Sequence, residues 1–240
     1  MGMQALLHLV YPSQCLSCDA RVTTDFGLCG TCWRDTPFIT GLVCTKCGTP
    51  LPGEDRAVEV LCDDCLLIAR PWSNGRAPLL YKDNARKLVL ALKHGDRTDL
   101  ARPAAQWLLR AAQPILVPDM LVVPIPLHWL SLIKRRYNQA ALLSGGVAKL
   151  AGLAHCPDLL QRLRNTHTQD GRDRDGRFAN MSDALRVHPR RVARIEGRHI
   201  LLVDDVMTSG ATLAAGAEVC IAAGATGVSV LVMARVAKDA

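Results

Sequence analysis

The chain beyond residue 75 alternates between short apolar runs and longer segments with helical periodicity. Almost uninterrupted apolar runs predict buried strands at Met120 to Ile125, His199 to Val203 and Val228 to Met233. The periodic segments predict helices at Asn84 to His94, Asp99 to Ala112, Asn138 to Ala151 and Ala211 to Ala223. Strands separated by helices imply right-handed crossovers. We therefore expect an α/β domain with a parallel sheet covered by helices on both faces.

Two segments interrupt this alternation. The first, from Arg70 to Gly75, is rich in turn-forming residues, and we interpret it as a linker between residues 1–70 and 71–240. The second, between Arg162 and Arg186, is charged, contains glycine and shows no sustained periodicity. A long polar loop inside an α/β domain is usually either disordered or a functional lid, and the sequence leaves both open.

Composition and charge narrow the class of partner. Aromatic residues make up only 4% of the chain while 49% of it is hydrophobic, which suits helices and buried parallel strands better than a β-sandwich. A formal net charge of +7 favours nucleic acid or phosphorylated metabolites as partners, although a basic surface without a partner fits equally well. No apolar stretch approaches the roughly 20 residues of a membrane span, and the N-terminus lacks the features of a signal peptide. We therefore expect a cytoplasmic protein.

Eight of the ten cysteines form Cys-x-x-Cys pairs within the first 70 residues. The pairs are Cys15 and Cys18, Cys29 and Cys32, Cys44 and Cys47, and Cys62 and Cys65. A tight turn in each pair aims two thiolates at one point, and two pairs complete the tetrahedral four-sulfur shell that structural Zn²⁺ prefers. Residues 1–70 are therefore predicted to be a double zinc ribbon. Both ions should be structural, because four cysteine ligands leave no open position for catalysis.

Other uses of these cysteines agree less well with the sequence. Disulfides are rare in a reducing cytosol, and thioredoxin-type redox chemistry needs one pair at the start of a helix in a larger fold. Iron held by four thiolates stays open, as does the choice between sequential and interleaved pairing of the knuckles. Exposed residues such as Trp33, Arg34 and Lys46 either contact a protein partner or simply cover the ribbons.

The strongest functional signal follows the predicted strand at His199 to Val203. Two acids, Asp204 and Asp205, precede a short bend and a predicted helix start. The bend consists of Val206, Met207, Thr208, Ser209, Gly210, Ala211 and Thr212. Ligands bind at the carboxyl ends of strands in open α/β sheets. Gly210 lets the backbone turn closely around a bound group, which the following amides and the positive end of the helix dipole face. This arrangement suits a terminal phosphate.

The two acids suit a ribose. Asp204 and Asp205 can accept hydrogen bonds from vicinal hydroxyl groups, directly or through Mg²⁺. An Asp-Asp pair alone would equally fit a metal site or a receiver-type acidic pocket, but the adjoining hydroxyl-rich bend argues against both. A Walker loop does not fit, because it requires a lysine inside the loop.

The full pattern resembles the ComF family. The segment from Val203 to Thr212 resembles the phosphoribosyl pyrophosphate (PRPP) signature of type I phosphoribosyltransferases, and the cysteine pairs in front of it make the resemblance more specific. Further matching segments are Val123-Pro124-Ile125-Pro126-Leu127-His128, Arg135-Arg136-Tyr137-Asn138-Gln139-Ala140, and Thr166-His167-Thr168-Gln169 with Arg177 and Asn180. The family usually has Gly where this chain has Arg136, and Leu where it has Arg172.

This resemblance implies a type I phosphoribosyltransferase-like domain in which residues 204–212 bind the 5′-phosphate and ribose of PRPP with Mg²⁺. Arg135, Asn138 and Gln139 are implied as further site residues. The span 162–186 is implied to be a flexible hood that contributes Gln169 and Arg177. ComF-like proteins are associated with natural competence, so imported single-stranded DNA is an expected partner. A working phosphoribosyltransferase of nucleobase salvage is the alternative, and the sequence identifies neither its acceptor nor its catalytic base.

Overall fold

The computed structural model describes residues 12–54, 58–164 and 184–237. Its helices are α1 (Gly30–Arg34), α2 (Asp63–Leu67), α3 (Asp83–His94), α4 (Ala101–Ala112), α5 (Trp129–Arg135), α6 (Gln139–Ala151) and α7 (Ala211–Ala222). Its strands are β1 (Asn74–Arg76), β2 (Leu79–Leu80), β3 (Leu121–Pro124), β4 (Ala154–His155), β5 (Leu160–Arg162), β6 (Leu185–Val187), β7 (His199–Met207) and β8 (Gly227–Arg235). None of the helices described is long and apolar enough to cross a membrane.

The main sheet is parallel and follows the order β1-β8-β7-β3-β4, with β2 also paired to β8. The chain leaves β3 through α6 and returns as β4 on one side. It leaves β7 through α7 and returns as β8 on the other side. Two neighbouring strands therefore send their connections in opposite directions. Such a switch point leaves a crevice at the carboxyl ends of the two strands, where open α/β sheets bind ligands.

Helices cover both faces of this sheet, as predicted. On one face, Leu201 and Val203 of β7 belong to a buried apolar cluster with residues of α3, α4 and α6. On the other face, Ile200 and Leu202 pack with residues of α7. The alternation along β7 follows from strand geometry, in which successive side chains point to opposite faces. The predicted α/β class, with a helix-flanked parallel sheet behind a small cysteine-rich unit, is confirmed.

The segment interpreted as a linker is instead built into the sheet. Asn74–Arg76 forms strand β1 and pairs with residues 229–231 of β8, and β2 continues the same edge. Trp72, just before β1, is only 3% exposed. The interpretation as a linker was wrong because the composition of a short segment carries no information about its pairing with a strand more than 150 residues further along the chain.

The cysteine-rich unit packs directly on this edge of the sheet. The Gly75 amide donates to Thr45 O at 2.8 Å, and the Ile39 amide donates to Pro78 O at 2.8 Å. A Cβ atom on Gly75 would lie 2.3 Å from Lys46 O, which lies between Cys44 and Cys47. Only glycine therefore fits at this position of β1. The ribbon unit and the sheet therefore share one packed interface here.

The span predicted to be aperiodic begins and ends in strands. β5 and β6 form an antiparallel pair in which Arg162 lies opposite Leu185, and Arg186 Nε donates to Gln161 Oε1 at 3.0 Å. The expectation of irregular structure was therefore wrong at both ends of the span, because pairing across it supplies the order that the local pattern lacks. Residues 165–183, which include most of the predicted hood, lie outside the described residues.

Candidate functional site

A cavity of about 500 Å³ lies at the switch point between β3 and β7. β3 ends at Pro124, which pairs with Val203, whereas β7 continues to Met207. The side of β7 that faced β3 is therefore left open beyond Val203. Of the residues in the predicted loop, the cavity is lined by Asp204, Asp205, Val206, Thr208 and Thr212. A volume of this size falls in the usual range for small-molecule sites, roughly 300–1,000 Å³.

Asp204 and Asp205 form an acidic pair in the wall of this cavity. The Asp205 amide donates to Asp204 Oδ1 at 2.8 Å, and the Val206 amide donates to Asp205 Oδ1 at 2.8 Å. Burial, reinforced by the neighbouring Asp205 carboxylate, raises the pKa of Asp204 to about 8. Without a ligand, Asp204 therefore binds a proton more tightly than an ordinary aspartate does. A bound cation at the pair would displace that proton.

Two basic side chains face the acids. Lys93 Nζ lies 3.2 Å from Asp205 Oδ2. Arg162, on β5, lines the same cavity, where burial lowers its pKa and the Asp204 charge opposes that effect. Lys93 lies in the last turn of α3, where basic residues are common. Arg162 is the first residue of the span implied to be the hood, and the structure places it in β5, paired with β6, and in the wall of the cavity.

Two arginines hold the bend after β7 by its carbonyl groups. Arg235 Nη1 donates to Met207 O at 3.1 Å and to Thr208 O at 2.8 Å, and Arg70 Nη1 donates to Ser209 O at 2.6 Å. The described residues contain no cis peptide bond. In a trans peptide the carbonyl and the following N–H point in opposite directions. The three N–H groups that follow these carbonyls therefore point away from the arginines.

Gly210 completes the bend at the start of α7. Its φ of +82° lies in the left-handed region that glycine adopts readily. The next turn begins α7, whose Thr212 lines the cavity. Thr208 and Thr212 thus line the cavity beside the N-terminus of α7, a combination that favours an anion, while the Ala211 amide donates to Ser209 Oγ at 3.4 Å. Neither Arg70 nor Arg235 is among the described residues that line the cavity.

Arg135, Asn138 and Gln139 also line the cavity. Asn138 caps α6: its Oδ1 accepts from a backbone amide of the first turn at 3.0 Å, and its Nδ2 donates to Ile125 O at 3.0 Å. Gln139 Nε2 donates to Lys93 O at 3.3 Å. Asn138 and Gln139 therefore tie α6 to the chain leaving β3 and to the end of α3. Each has a structural role in addition to its place in the cavity wall.

Arg136 occupies the position where the family usually has glycine. It follows α5 with φ +65°, in the left-handed region. The backbone thus keeps a conformation typical of glycine with an arginine in it, at a cost of about 1 kcal/mol.

Some of the predicted site residues lie elsewhere. The Met207 side chain is buried in the apolar cluster that includes residues of α7. Ser209 contributes its carbonyl group to the bend and Gly210 contributes its turn, whereas Ala211 begins α7. Gln169 and Arg177 lie outside the described residues, so their role as hood contacts stays a prediction.

The paired cysteines form two four-sulfur clusters, and their pairing is sequential. The first cluster is Cys15, Cys18, Cys29 and Cys32, and the second is Cys44, Cys47, Cys62 and Cys65. The sulfur atoms of each cluster lie within 4.8 Å of one another, with a sulfur–sulfur distance of 3.6 Å recorded in each. Four Zn–S bonds of about 2.3 Å in a tetrahedron place the sulfurs about 3.8 Å apart. Both clusters fit structural zinc.

Backbone amides prepare the first cluster for a metal. The Cys29 amide donates to Cys15 Sγ at 3.2 Å, and the Cys32 amide donates to Cys29 Sγ at 3.5 Å. Burial acts to raise the pKa of Cys15, but backbone hydrogen bonds from Cys29, Ser17 and Cys18 outweigh it and lower that pKa to about 6. At Cys15 the thiolate is therefore favoured at neutral pH, whereas burial and the neighbouring Cys18 and Cys29 raise the pKa of Cys32 to about 12.

Comparison with known proteins agrees with this description. Residues 6–66 match the double zinc ribbon domain. The chain is 29% identical to DNA utilization protein YhgH of Salmonella typhimurium over 238 residues, which cover 95% of this chain and 99% of the relative. It is 25% identical to competence protein F of Haemophilus influenzae and 26% identical to competence protein ComFC of Bacillus subtilis, over 86% and 83% of this chain and 83% and 85% of those relatives. The resemblance to the ComF family is confirmed.

A solved structure is similar to part of the chain. It is a glutamine PRPP amidotransferase from Bacillus subtilis complexed with ADP and GMP, with a TM-score of 0.40 and 19% sequence identity. The match covers 59% of this chain and 30% of that chain.

Proposed function

We propose that this ComF-like protein binds PRPP, or a phosphoribosylated small molecule, in the cavity between β3 and β7. The observation that carries the proposal is a single cavity that joins the Asp204–Asp205 pair to a bend whose carbonyl groups are held on the far side. Acids suit ribose hydroxyl groups, and outward-facing amides suit a phosphate. A sugar phosphate carries both groups in one molecule.

Each part of the cavity has a proposed role. The 5′-phosphate would lie against the amides of the bend and the Thr212 hydroxyl group, with the ribose hydroxyl groups against the acids. The pyrophosphate would lie toward Lys93, Arg135 and Arg162, whose positive charges line the same cavity. Mg²⁺ would bind with the pyrophosphate and take oxygen ligands from the acidic pair.

The names of the relatives suggest where such a pocket is used. They are called DNA utilization and competence proteins. We propose that this protein acts in the cytoplasm on imported single-stranded DNA, with the sugar-phosphate pocket as a binding or regulatory site. The net charge of +7 supports a polyanionic partner. Binding of that kind weakens as salt rises and depends little on sequence.

The second candidate is a working phosphoribosyltransferase. Tyr81, Pro126 and Leu127 also line the cavity and offer apolar surface for an acceptor. An acceptor nitrogen would bond to the anomeric carbon as the bond to pyrophosphate breaks, and pyrophosphate would leave. The protein would position the reactants and exclude water from them.

Calorimetric titration of the full-length protein with PRPP and with inorganic phosphate, both with Mg²⁺, tests the binding proposal. Replacing Asp204 and Asp205 by Asn should reduce the affinity for PRPP about a hundredfold and the affinity for phosphate much less. The reason is that the acids would contact only the ribose and the cation. Asp119→Asn, an exposed aspartate at the other end of β3, is the matched control. Equal losses for both ligands would exclude the ribose role of the pair.

A second pair of assays separates the two candidate functions. Release of pyrophosphate from PRPP on addition of a nucleobase would establish a transferase. Affinity for single-stranded DNA that falls with salt, without such release, would favour the DNA-handling function.

A further inference from the structure

A single arginine joins the second cysteine cluster to the phosphate end of the cavity. Arg70 follows α2, the helix that carries Cys65, and its Nη1 donates to Ser209 O at 2.6 Å. Arg70 lies five residues after Cys65 in the chain, directly behind the second cluster. The chain leaving the second cluster thus contacts the bend directly, although Arg70 and Ser209 are 139 residues apart in sequence.

Trp72 holds Arg70 in place. The Trp72 ring Nε1 donates to Lys46 O at 2.6 Å, and Lys46 Nζ donates to Trp72 O at 2.9 Å. Lys46 lies inside the knuckle formed by Cys44 and Cys47. The Arg70 guanidinium carbon lies 5.4 Å from the centre of the Trp72 ring, within the range of a cation–π contact. Both knuckles of the second cluster therefore contribute to the position of Arg70.

The bend fits closely against this pair. A Cβ atom on Gly210 would lie 2.9 Å from Arg70 Nη1 and 3.2 Å from the Trp72 ring. Glycine also has the least restricted φ and ψ angles, so the peptide groups on either side of it rotate more freely than those beside other residues. The hydrogen bond from Arg70 fixes the direction of Ser209 O, and through the trans peptide it fixes the direction of the Gly210 N–H.

The first cluster supports a different part of the molecule. Ser17, between Cys15 and Cys18, hydrogen-bonds through its side chain to Asn84, and its carbonyl accepts from Lys87 Nζ. Both partners lie on α3, whose buried residues belong to the apolar cluster on the other face of the sheet. Among the described residues, the recorded contacts of the bend with the ribbon unit all come from the side of the second cluster.

We propose that Arg70 is a positioning residue for the phosphate site, and that zinc in the second cluster keeps it in place. With that zinc bound, Arg70 holds Ser209 O on the far side and the Gly210 N–H faces the phosphate. Loss of that zinc releases α2 and the Lys46 knuckle, so the bend loses its support. The role in ligand binding rests on the proposed function above, whereas the ordering of the bend does not.

Hydrogen–deuterium exchange of the full-length, ligand-free protein tests the ordering directly. Arg70→Ala should raise exchange about tenfold in the peptide containing residues 208–212, with zinc content unchanged. Arg34→Ala, at the end of α1 beside the first cluster, should leave that peptide unchanged. Unchanged exchange in Arg70→Ala would overturn the inference.

Cysteine variants test the dependence on zinc. Cys65→Ser should raise exchange in the same peptide, and Cys18→Ser, which removes a ligand of the first cluster, should not. Equal effects of the two variants would overturn the role of the second cluster. In a titration with PRPP, Arg70→Ala should bind about tenfold more weakly than the wild type. A wild-type protein that binds no PRPP would contradict the proposed function, while the exchange data would still decide the role of Arg70.

Discussion

Lys93 Nζ lies 3.2 Å from Asp205 Oδ2, where the end of α3 meets the carboxyl end of β7. The two side chains are 29% and 14% exposed, so water screens the pair only in part. Lysine carries its charge on a flexible stem, and its ammonium can turn to a pyrophosphate when a cation takes its place beside the acid. We infer that this ion pair stabilises the acidic pair while no ligand is bound.

Removing this counterion should therefore lower both the stability of the fold and the affinity for the ligand. Lys93→Met is expected to lower the free energy of unfolding by about 1 kcal/mol and to reduce the affinity for PRPP about tenfold. Urea unfolding and calorimetry measure the two effects. Lys149→Met, an exposed lysine in the last turn of α6, is the control and should change neither. If both variants bind PRPP equally well, Lys93 has no part in the site.

The raised pKa of Asp204 makes stability depend on pH. Because the pKa rises from its ordinary value of 3.8 to about 8, the folded state holds the proton more tightly than the unfolded state does. The free energy of unfolding should therefore fall as pH rises between about 4 and 8, by at most about 1.4 kcal/mol per pH unit. Urea unfolding at several pH values measures this slope. Asp204→Asn should flatten it, and an equal slope in the variant would assign the dependence to another group.

Gly210→Val should abolish PRPP binding while leaving the fold intact. The substitution strains a residue at φ +82° and pushes against Arg70 and Trp72. Gly41→Val supplies the control, since Gly41 has φ +73° but nothing within 4 Å of an added Cβ. Both variants should lose about 1 kcal/mol of stability from backbone strain, and only the first should lose the ligand in calorimetry. Unchanged PRPP affinity in Gly210→Val would contradict the phosphate assignment.

Arg136→Gly should stabilise the protein. The backbone at this position has φ +65°, so replacement by glycine relieves strain in the folded state. Glycine also increases the conformational entropy of the unfolded chain, which offsets part of this stabilisation. The expected net gain in free energy of unfolding is about 0.5 kcal/mol, measured in urea. Arg86→Gly, on the exposed side of α3, should have the opposite sign and cost about 1 kcal/mol. A loss of stability in Arg136→Gly would mean that the Arg136 side chain makes contacts worth more than the strain.

Cys29→Ser should remove one metal ion and destabilise the N-terminal unit. Elemental analysis should give two zinc ions per wild-type chain, matching the two clusters, and one per variant chain. Cys220→Ser changes a buried cysteine outside both clusters and should keep two. Full zinc content in Cys29→Ser would contradict the ligand assignment.

Much of the site could be predicted because its parts are contiguous in sequence. The Cys-x-x-Cys knuckles and the segment from Asp204 to Thr212 are local units, in which spacing alone fixes the geometry. Arg235 lies two residues beyond the predicted end of its strand, and only the extension of β8 to Arg235 brings it to the bend. Lys93 carried an ambiguous signal at a helix end, and Arg70 carried none.

The sequence by itself determined the α/β class, the cysteine ligands and the acid-and-bend motif, because each depends on periodicity or spacing within a few residues. Only the tertiary structure decided that the cysteines pair sequentially, that Asn74–Arg76 is an edge strand and that Arg70, Lys93 and Arg162 meet the motif. These relationships depend on the order of strands in the sheet. That order is set by the burial of whole faces, to which residues far apart in the chain contribute together.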